Sequence, residues 1–197
     1  MSLPLLLASS SSYRKLLLEK LQLPFATASP DIDESVLDNE DPQSYVERLA
    51  IEKAKALASQ FPNHIIIGSD QCAVLTVDQK QQILGKPHTV ANAVNQLSQA
   101  SGETVTFLTG LCVYNSRSKK CLSLVEPFIV HFRELSEPQI RRYIEQEMPL
   151  DCAGSFKSEG LGIRLFSALE GRDPNSLIGL PLIALVDLLQ QHGVEVL

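Results

Sequence analysis

The chain has 197 residues, a formal net charge of −6 and an apolar fraction of 44%, and it contains no tryptophan. This length allows one large domain or two small lobes that share a core. Lysine and arginine are scattered rather than clustered, which argues against a protein whose main task is to grip a nucleic-acid backbone. A small phosphorylated ligand, which needs only a few cations, stays possible.

The cysteines and the first residues indicate the cellular compartment of the protein. Cys72, Cys112, Cys121 and Cys152 form no C-x-x-C pair and lack metal-site spacing, so we expect reduced thiols in a cytoplasmic protein. The opening "MSLPLLLASS" lacks a positively charged segment, and its apolar run is too short for a signal peptide. No stretch approaches the ~20 apolar residues of a membrane span, so we expect no membrane partner.

The chain opens with a strand, a helix and an extended segment. The apolar run "LPLLLAS" predicts a strand, and the spacing of leucines in "SSYRKLLLEKLQL" predicts a helix capped by Ser11 or Ser12. The stretch "PFATASPDIDES" then predicts an extended segment that enters an acidic loop.

Two helices and a buried strand follow. "DPQSYVERLAIEKAKALASQF" predicts a helix with Asp41 as its N-cap and Pro42 at its first position. "HIIIGSD" predicts a strand buried on both faces. "TVANAVNQLSQASG" predicts a helix that begins near Thr89 and is stopped by Gly102.

The second half is richer in β-structure. "ETVTFLTGLCVYN" and "CLSLVEPFIVHF" predict a long antiparallel hairpin. Ser136 and Gln139 form a capping-box pattern before another helix. A loop-rich stretch, "DCAGSFKSEGLG", precedes the last helix, "LPLIALVDLLQQHG". We therefore predict an α/β fold with a two-lobed mixed sheet, flanked by helices, around a central cleft.

The first strand enters its helix through four serines. Free backbone N–H groups, hydroxyls and Arg14 near one point suit a phosphate. No Walker A sequence is present. On this segment alone, a serine-rich turn that merely caps the helix is the favoured interpretation, because such caps are common.

Lys53 falls on the apolar stripe of the helix after Asp41, because it lies four residues after Leu49 and three after Ala50. Arg48 lies on the opposite face, which we predict to be solvated. An ammonium on a core-facing stripe needs a charged partner, or it snorkels at the edge of the stripe. The sequence favours neither alternative.

Asp70 follows the isoleucine run and Gly68. Ligands bind at the carboxyl ends of strands in α/β sheets, so this carboxylate is a candidate base or metal ligand. The alternative is a carboxylate that caps a turn after Gly68. Other loops carry further charged groups: Asp31, Asp33, Glu34, Lys86, Lys157 and Glu159.

Taken together, these residues supply carboxylates for a divalent cation and separate cations for phosphates. Such a mixture suits metal-assisted attack on a phosphoanhydride. An isolated acidic loop is more often only a solvated surface segment.

Eight motifs in order resemble the Maf family of nucleoside triphosphate pyrophosphatases. They are "LLLASSSSYRKLLL", "DIDE", "IEKA", "IIIGSDQ", "GKP", "TGL", "CAGSFKSEG" and "LIGLPLIAL". The "GSDQ" and "CAGSFKSEG" motifs are similar to the YceF-type branch, which is associated with 7-methyl-GTP. The resemblance implies one domain over residues 1–197, an inosine triphosphatase-like fold with its site in the cleft, a homodimer, and a divalent cation, Mg²⁺ or Mn²⁺.

The resemblance also implies roles for particular residues. Asp70 corresponds to the proton acceptor and, with Glu34, to the ligands of the cation. The phosphate-binding positions correspond to Ser9, Arg14, Lys53 and Lys86. The positions that set the preference for a base correspond to Tyr13, Gln71 and Glu159.

The function implied is hydrolysis of 7-methyl-GTP to 7-methyl-GMP and pyrophosphate, which removes a modified nucleotide from the pool. One alternative keeps the chemistry but changes the substrate to dTTP or UTP. A second alternative is a nucleotide-binding regulator of cell division without turnover. The base candidate, carboxylates and cations favour an enzyme.

Overall fold

A computed structural model of the chain describes residues 3–77 and 80–197. Within these ranges, short 3-10 turns occupy Ala153–Ser155 and Leu161–Leu165. The strands and helices follow in chain order: β1 Leu5–Ala8, α1 Ser12–Glu19, β2 Phe25–Ala28, α2 Pro42–Ala56, β3 Ile65–Val77, β4 Lys80–Leu84, α3 Val90–Ala100, β5 Thr104–Asn115, β6 Cys121–Phe132, α4 Glu137–Glu147, β7 Phe166–Glu170, α5 Pro174–Ile178 and α6 Leu182–Gln191.

The strands form one mixed sheet in the order β2-β1-β3-β5-β6-β7, and β4 pairs with β3. β1 runs parallel to both β2 and β3. The β3–β4 and β6–β7 pairs are antiparallel. The predicted α/β class with a mixed sheet is therefore confirmed, and so is the hairpin of β5 and β6, whose turn is closed by a bond from Asn115 N to Lys120 O.

The helices begin at the residues that the sequence indicates. Ser11 caps α1 by accepting from Arg14 N, and Asp41 caps α2 with Pro42 in the first turn. Thr89 caps α3 in the same way. Of the two serines considered for α1, Ser11 is thus the N-cap. The capping box at Ser136 is also present.

Residues of the chain divide into two compact units. Unit 1 comprises the residues up to Gln71, together with Thr109–Glu126 and Asp173–Leu197. Unit 2 comprises Cys72–Leu108 and Pro127–Arg172. The predicted division into two lobes corresponds to these units. The prediction of a single domain over 1–197 stays a prediction.

Unit 1 buries its strands between helices on both faces of the sheet. Ile65 and Ile67 pack in one apolar cluster with residues of α1 and α6. Ile66 points the other way, into a cluster with Ala50 and Ala54 of α2. Because side chains alternate along a strand, three successive isoleucines are needed to fill both layers. This explains the apolar run that precedes Asp70.

Unit 2 has an aromatic core of its own. Phe156, in the loop between α4 and β7, has its ring centroid 5.3 Å from Phe107 and 4.8 Å from Phe166 in edge-to-face arrangements. Phe132 joins the same cluster. These rings hold the loop-rich stretch against the sheet, because such pairs combine apolar burial with favourable ring geometry.

The structure corrects one prediction about β3 and adds two short elements. β3 continues to Val77, so Asp70 lies inside a strand and does not cap a turn after Gly68. It continues because β4 provides a new antiparallel partner from Ala73 onward. The strand β7 and the short helix α5 lie between the loop-rich stretch and the last helix, where the sequence predicts no element, and neither is long enough to show a periodic pattern.

Two other expectations concern the environment of the protein. The four cysteines are free thiols. Among the helices in the described ranges, none combines the length and the apolar character that crossing a bilayer requires.

Gly68 lets the backbone of α2 lie directly on β3. A Cβ atom at this position would lie 2.1 Å from Ala50 O and 2.9 Å from Ala54 N. We expect Gly68→Ala to lower the free energy of unfolding by about 2 kcal/mol or more, because backbone atoms must move to admit the methyl group. Urea unfolding followed by circular dichroism measures this change.

Gly85→Ala is the matched control, because a Cβ atom there would have no neighbour within 4 Å. Its free energy of unfolding should stay within about 0.5 kcal/mol of the parent protein. Equal losses for the two variants would contradict the close approach of α2.

Candidate active site

Asp70 lies on the part of β3 that extends beyond its parallel partner β1. The β1–β3 pairing ends at Leu7 and Ile67, and Asp70 comes three residues later on the same strand. Only 6% of the surface of Asp70 is exposed to solvent. The strand therefore holds a carboxylate inside unit 1, beyond the last residue that β3 pairs with β1.

The Lys53 ammonium binds two carboxylates. Its Nζ lies 2.5 Å from Asp70 Oδ1 and 3.0 Å from Glu34 Oε1. Lys53 is buried on the apolar stripe of α2, as the helical spacing predicts. These two salt bridges confirm that Lys53 has a charged partner and does not snorkel at the edge of the stripe. They offset the high free-energy cost of a buried ammonium. We call Lys53, Asp70 and Glu34 the ion cluster.

Glu34 reaches the cluster from the acidic loop, which α2 holds in place. Tyr45 OH donates to the Glu34 carbonyl at 3.0 Å. Arg48 donates to both carboxylate oxygens of Glu40, at 2.6 and 2.8 Å, and to the Ser35 carbonyl at 3.0 Å. The prediction that Arg48 is merely solvated is therefore wrong. Nothing in the helical period of α2 indicated this partner, because the loop binds it from a different part of the chain.

The other acidic residues of the loop lie outside the ion cluster. Asp33 accepts from Ser35 N at 2.9 Å, and hydrogen bonds from Ser35 lower the pKa of the Asp33 carboxyl. Asp31 is exposed. Of the three loop carboxylates considered, only Glu34 pairs with Lys53 in the described residues.

The serines before α1 bond to the backbone. Ser9 is buried, and its hydroxyl oxygen accepts from Ser11 N at 3.1 Å. Ser11 accepts from Arg14 N at 3.3 Å. The capping role of this turn is thus present, and phosphate binding by Ser9 stays a prediction.

Arg14 bonds to a backbone carbonyl and is influenced by the charges of the ion cluster. Its Nε donates to Gly179 O at 2.9 Å, and its two Nη groups make no hydrogen bond within the described ranges. Withdrawal from solvent lowers the pKa of Arg14, while the charges of Asp70 and Glu34 act in the opposite direction. The group stays protonated, and its Nη edge can bind an anion.

Residues 176–179 contact the side chains on either side of Asp70. Gly179 O accepts from Ser69 Oγ at 3.0 Å as well as from Arg14. Gln71 Nε2 donates to Ser176 O at 2.6 Å. The motif "LIGLPLIAL" contributes to the family resemblance, but its sequence predicts no role for residues 176–179. Backbone carbonyls leave no signature in residue type, so only the resemblance pointed to it.

The remaining predicted site residues are distributed over both units. Tyr13 lies half-buried on α1 in unit 1. Lys86 is exposed just after β4, and Glu159 is exposed in the loop before the second 3-10 turn. Both belong to unit 2. Lys157, in the same loop, has its backbone N–H bonded to Tyr143 OH at 3.0 Å.

The carboxylates of the ion cluster fit the predicted cation. Glu34 Oε1 and Asp70 Oδ1 both contact one nitrogen, so their separation cannot exceed the sum of those two contacts. Mg²⁺ is commonly held by one or two carboxylates together with substrate phosphates and water. Within residues 3–77 and 80–197, no group of three or more His, Cys, Asp or Glu side chains forms a ligand set of its own. Glu34 and Asp70 would supply two carboxylate ligands to such a cation.

A buried carboxylate paired with an ammonium, together with a nearby guanidinium, gives this α/β protein cations that can bind phosphate oxygens. The chain matches the family described as Maf-like protein over residues 4–192. It therefore belongs to the Maf family, as the resemblance of its motifs predicted.

Relatives match over nearly the whole chain. The 7-methyl-GTP pyrophosphatase of Colwellia psychrerythraea is 62% identical, over 98% of this chain and 94% of that protein. The 7-methyl-GTP pyrophosphatase of Pseudomonas aeruginosa is 57% identical, over 98% of both chains. Among solved structures, the Ham1 protein of Staphylococcus aureus is 13% identical with a TM-score of 0.44, covering 81% of this chain and 89% of that chain. A likeness this weak adds nothing to the fold described above.

Removal of the Lys53 charge should destabilise the protein. In Lys53→Met, the buried Asp70 carboxylate loses its ammonium partner, and we expect the free energy of unfolding to fall by about 3 kcal/mol. In the double variant Lys53→Met/Asp70→Asn, no uncompensated charge is left, so more than half of that loss should be recovered. Urea unfolding of both variants measures the difference. A double variant no more stable than the single one would contradict the coupling.

Proposed function

We propose that the chain hydrolyses 7-methyl-GTP to 7-methyl-GMP and pyrophosphate and so removes a modified nucleotide from the pool. One observation supports the reaction type: a buried carboxylate, Asp70, shares an ammonium with a second carboxylate, and the charges of both carboxylates raise the pKa of the Arg14 guanidinium against the effect of its burial. The names of relatives that are 62% and 57% identical support the choice of substrate.

In this proposal, Asp70 accepts the proton of a water molecule that attacks the α-phosphorus. The bond between the α-phosphorus and the bridging oxygen breaks, and pyrophosphate leaves with that oxygen. The Lys53 ammonium, 2.5 Å from Oδ1, keeps the carboxylate in one orientation through this step. When bound by Glu34 and Asp70, Mg²⁺ or Mn²⁺ supplies charge neutralisation for the phosphates and for the departing pyrophosphate.

The cations of the site neutralise the other phosphate oxygens. Arg14 has unused Nη donors in a planar fork, which matches phosphate oxygens. Lys53 and Lys86 act as point charges, and Ser9 lies in the turn before α1. Because each of these groups binds the triphosphate, their loss should raise KM as well as lower kcat.

Three residues contact the base in this proposal. N7-methylation makes guanine a delocalised cation, on which the ring of Tyr13 can stack. Glu159 adds charge attraction or accepts from the N1 and N2 edge of guanine. Gln71, next to Asp70, is the third.

The assembly belongs to the same proposal. We infer a cytoplasmic homodimer that needs neither a nucleic acid nor a membrane, as the family resemblance implies. The small-molecule nucleotide is its partner.

A panel of triphosphates tests the proposed function. With Mg²⁺ present, we expect pyrophosphate release from 7-methyl-GTP with a higher kcat/KM than from GTP, dTTP or UTP. An excess of EDTA should abolish release. A higher kcat/KM for dTTP or UTP would instead favour the alternative substrate, and tight binding of nucleotide without release would favour the regulator.

Asp70→Asn removes the proposed proton acceptor at nearly constant shape. We expect kcat for 7-methyl-GTP to fall by about 10²- to 10⁴-fold, the usual contribution of a general base. Circular dichroism should show an unchanged fold. Turnover at the parent rate would remove Asp70 from the mechanism.

A further inference from the structure

Two thiols meet on the face of the β5–β6 hairpin that packs against α2. Cys112 of β5 and Cys121 of β6 have their Sγ atoms 3.5 Å apart. Cys112 belongs to the apolar cluster that contains Ala50 and Ala54 of α2, and Cys121 packs against the same cluster. Both cysteines lie in unit 1, but neither belongs to the ion cluster. The candidate active site therefore gives this pair of thiols no role.

The two sulfur atoms differ in their access to solvent. Cys112 is fully buried, whereas Cys121 is half-buried next to the exposed turn of the hairpin. Burial raises the pKa of the Cys112 thiol, and the adjacent Cys121 raises it further. Because reactive thiols are those that solvent can reach, Cys121 is the thiol that meets a dissolved oxidant first. Cys112 then lies beside it, in the place of a resolving thiol.

Two charged residues of α2 act on the buried thiol. Against the effect of burial, the Lys55 ammonium lowers the pKa of Cys112, while the Glu47 carboxylate raises it to a smaller extent. Glu47 also accepts a hydrogen bond from Ser123 Oγ at 2.7 Å. Of the two charges, the larger effect is therefore the one that favours a thiolate on Cys112.

The two cysteines lie diagonally across the hairpin, close to its turn. Asn115 N donates to Lys120 O at 2.9 Å, so these two residues face each other, and Cys112 and Cys121 are diagonal neighbours. A disulfide would bring their sulfur atoms from 3.5 Å to about 2.0 Å. Diagonal residues are farther apart in the backbone than direct cross-strand partners, so this bond would be strained and easily reduced. Such a disulfide is a reversible modification rather than a permanent cross-link.

We propose that Cys112 and Cys121 are a modification site, at which a hydroperoxide converts two thiols into an intramolecular disulfide. The sulfur of Cys121 attacks one oxygen of hydrogen peroxide, the O–O bond breaks, and a sulfenic acid and one water form. The sulfur of Cys112 then attacks the sulfenic sulfur, and the hydroxyl group leaves with the Cys112 proton as a second water. Two thiols are oxidised and one peroxide is reduced, so the step needs no further reactant.

Oxidation of the folded protein by a small excess of hydrogen peroxide tests the site. Catalase stops the reaction, and unfolding in N-ethylmaleimide blocks the remaining thiols before they can exchange with a disulfide. We expect the mass to fall by two hydrogen atoms, and two of the four cysteines to escape alkylation. Trypsin cleaves after Arg117, Lys119 and Lys120, between the two cysteines. The disulfide should therefore join two peptides that dithiothreitol separates.

Single variants separate the two steps of the reaction. Cys112→Ala should give no linked peptides and should stop at a sulfenic acid on Cys121, which dimedone traps. Cys121→Ala should give neither product, because burial keeps the oxidant from Cys112. Cys152→Ala is the matched control, since its thiol contacts Asp151 in unit 2, and it should give the linked peptides in the parent yield. Circular dichroism checks the fold of each variant, and the peptides of the parent protein identify the pairing without any variant.

Four results would overturn the inference: a partner of Cys121 other than Cys112, a disulfide between two chains, a sulfinic acid on Cys121 with the Cys112 thiol intact, or no reaction of either thiol. Linked peptides that resist dithiothreitol would contradict the reversible character of the modification. None of these results depends on the hydrolysis of 7-methyl-GTP, so the proposed function and this inference are tested separately.

Discussion

The salt bridges from Lys53 to Asp70 and Glu34 are the interaction on which the rest of the site depends. A buried ammonium is stable only with a carboxylate partner, and here it has two. The same helix that carries Lys53 also holds the acidic loop, through Tyr45 and Arg48. One element, α2, therefore fixes both carboxylates relative to a single charge.

The sheet is built to let this helix approach. Gly68 and Gly110 both face α2, and a Cβ atom at either position would lie 2.1 Å from a helix carbonyl. On the opposite face of β3, Ser69 and Gln71 bond to the carbonyls of residues 176–179. Side chains alternate between the two faces of a strand. Asp70 therefore points to the ion cluster, whereas Ser69 and Gln71 point to the segment after Asp173.

Asp173 holds both ends of that segment by hydrogen bonds. It is fully buried, and its carboxylate accepts from Asn175 N and from Ile183 N, each at 2.8 Å. These bonds tie the start of α5 to the start of α6. The carbonyls between them are therefore held in place, which makes them suitable partners for Arg14 and Gln71.

The main helices and strands, the capping residues and the place of Lys53 on the apolar stripe of α2 follow from the sequence, because periodicity and capping depend on residues a few positions apart. The sequence also determined the family, through motifs in order. The position of Asp70 inside a strand, the binding of Glu40 by Arg48, and the bonds from Gln71 to Thr109 and Ser176 became known from the folded structure alone. Those contacts join distant parts of the chain, and several use backbone carbonyls, which every residue type carries alike.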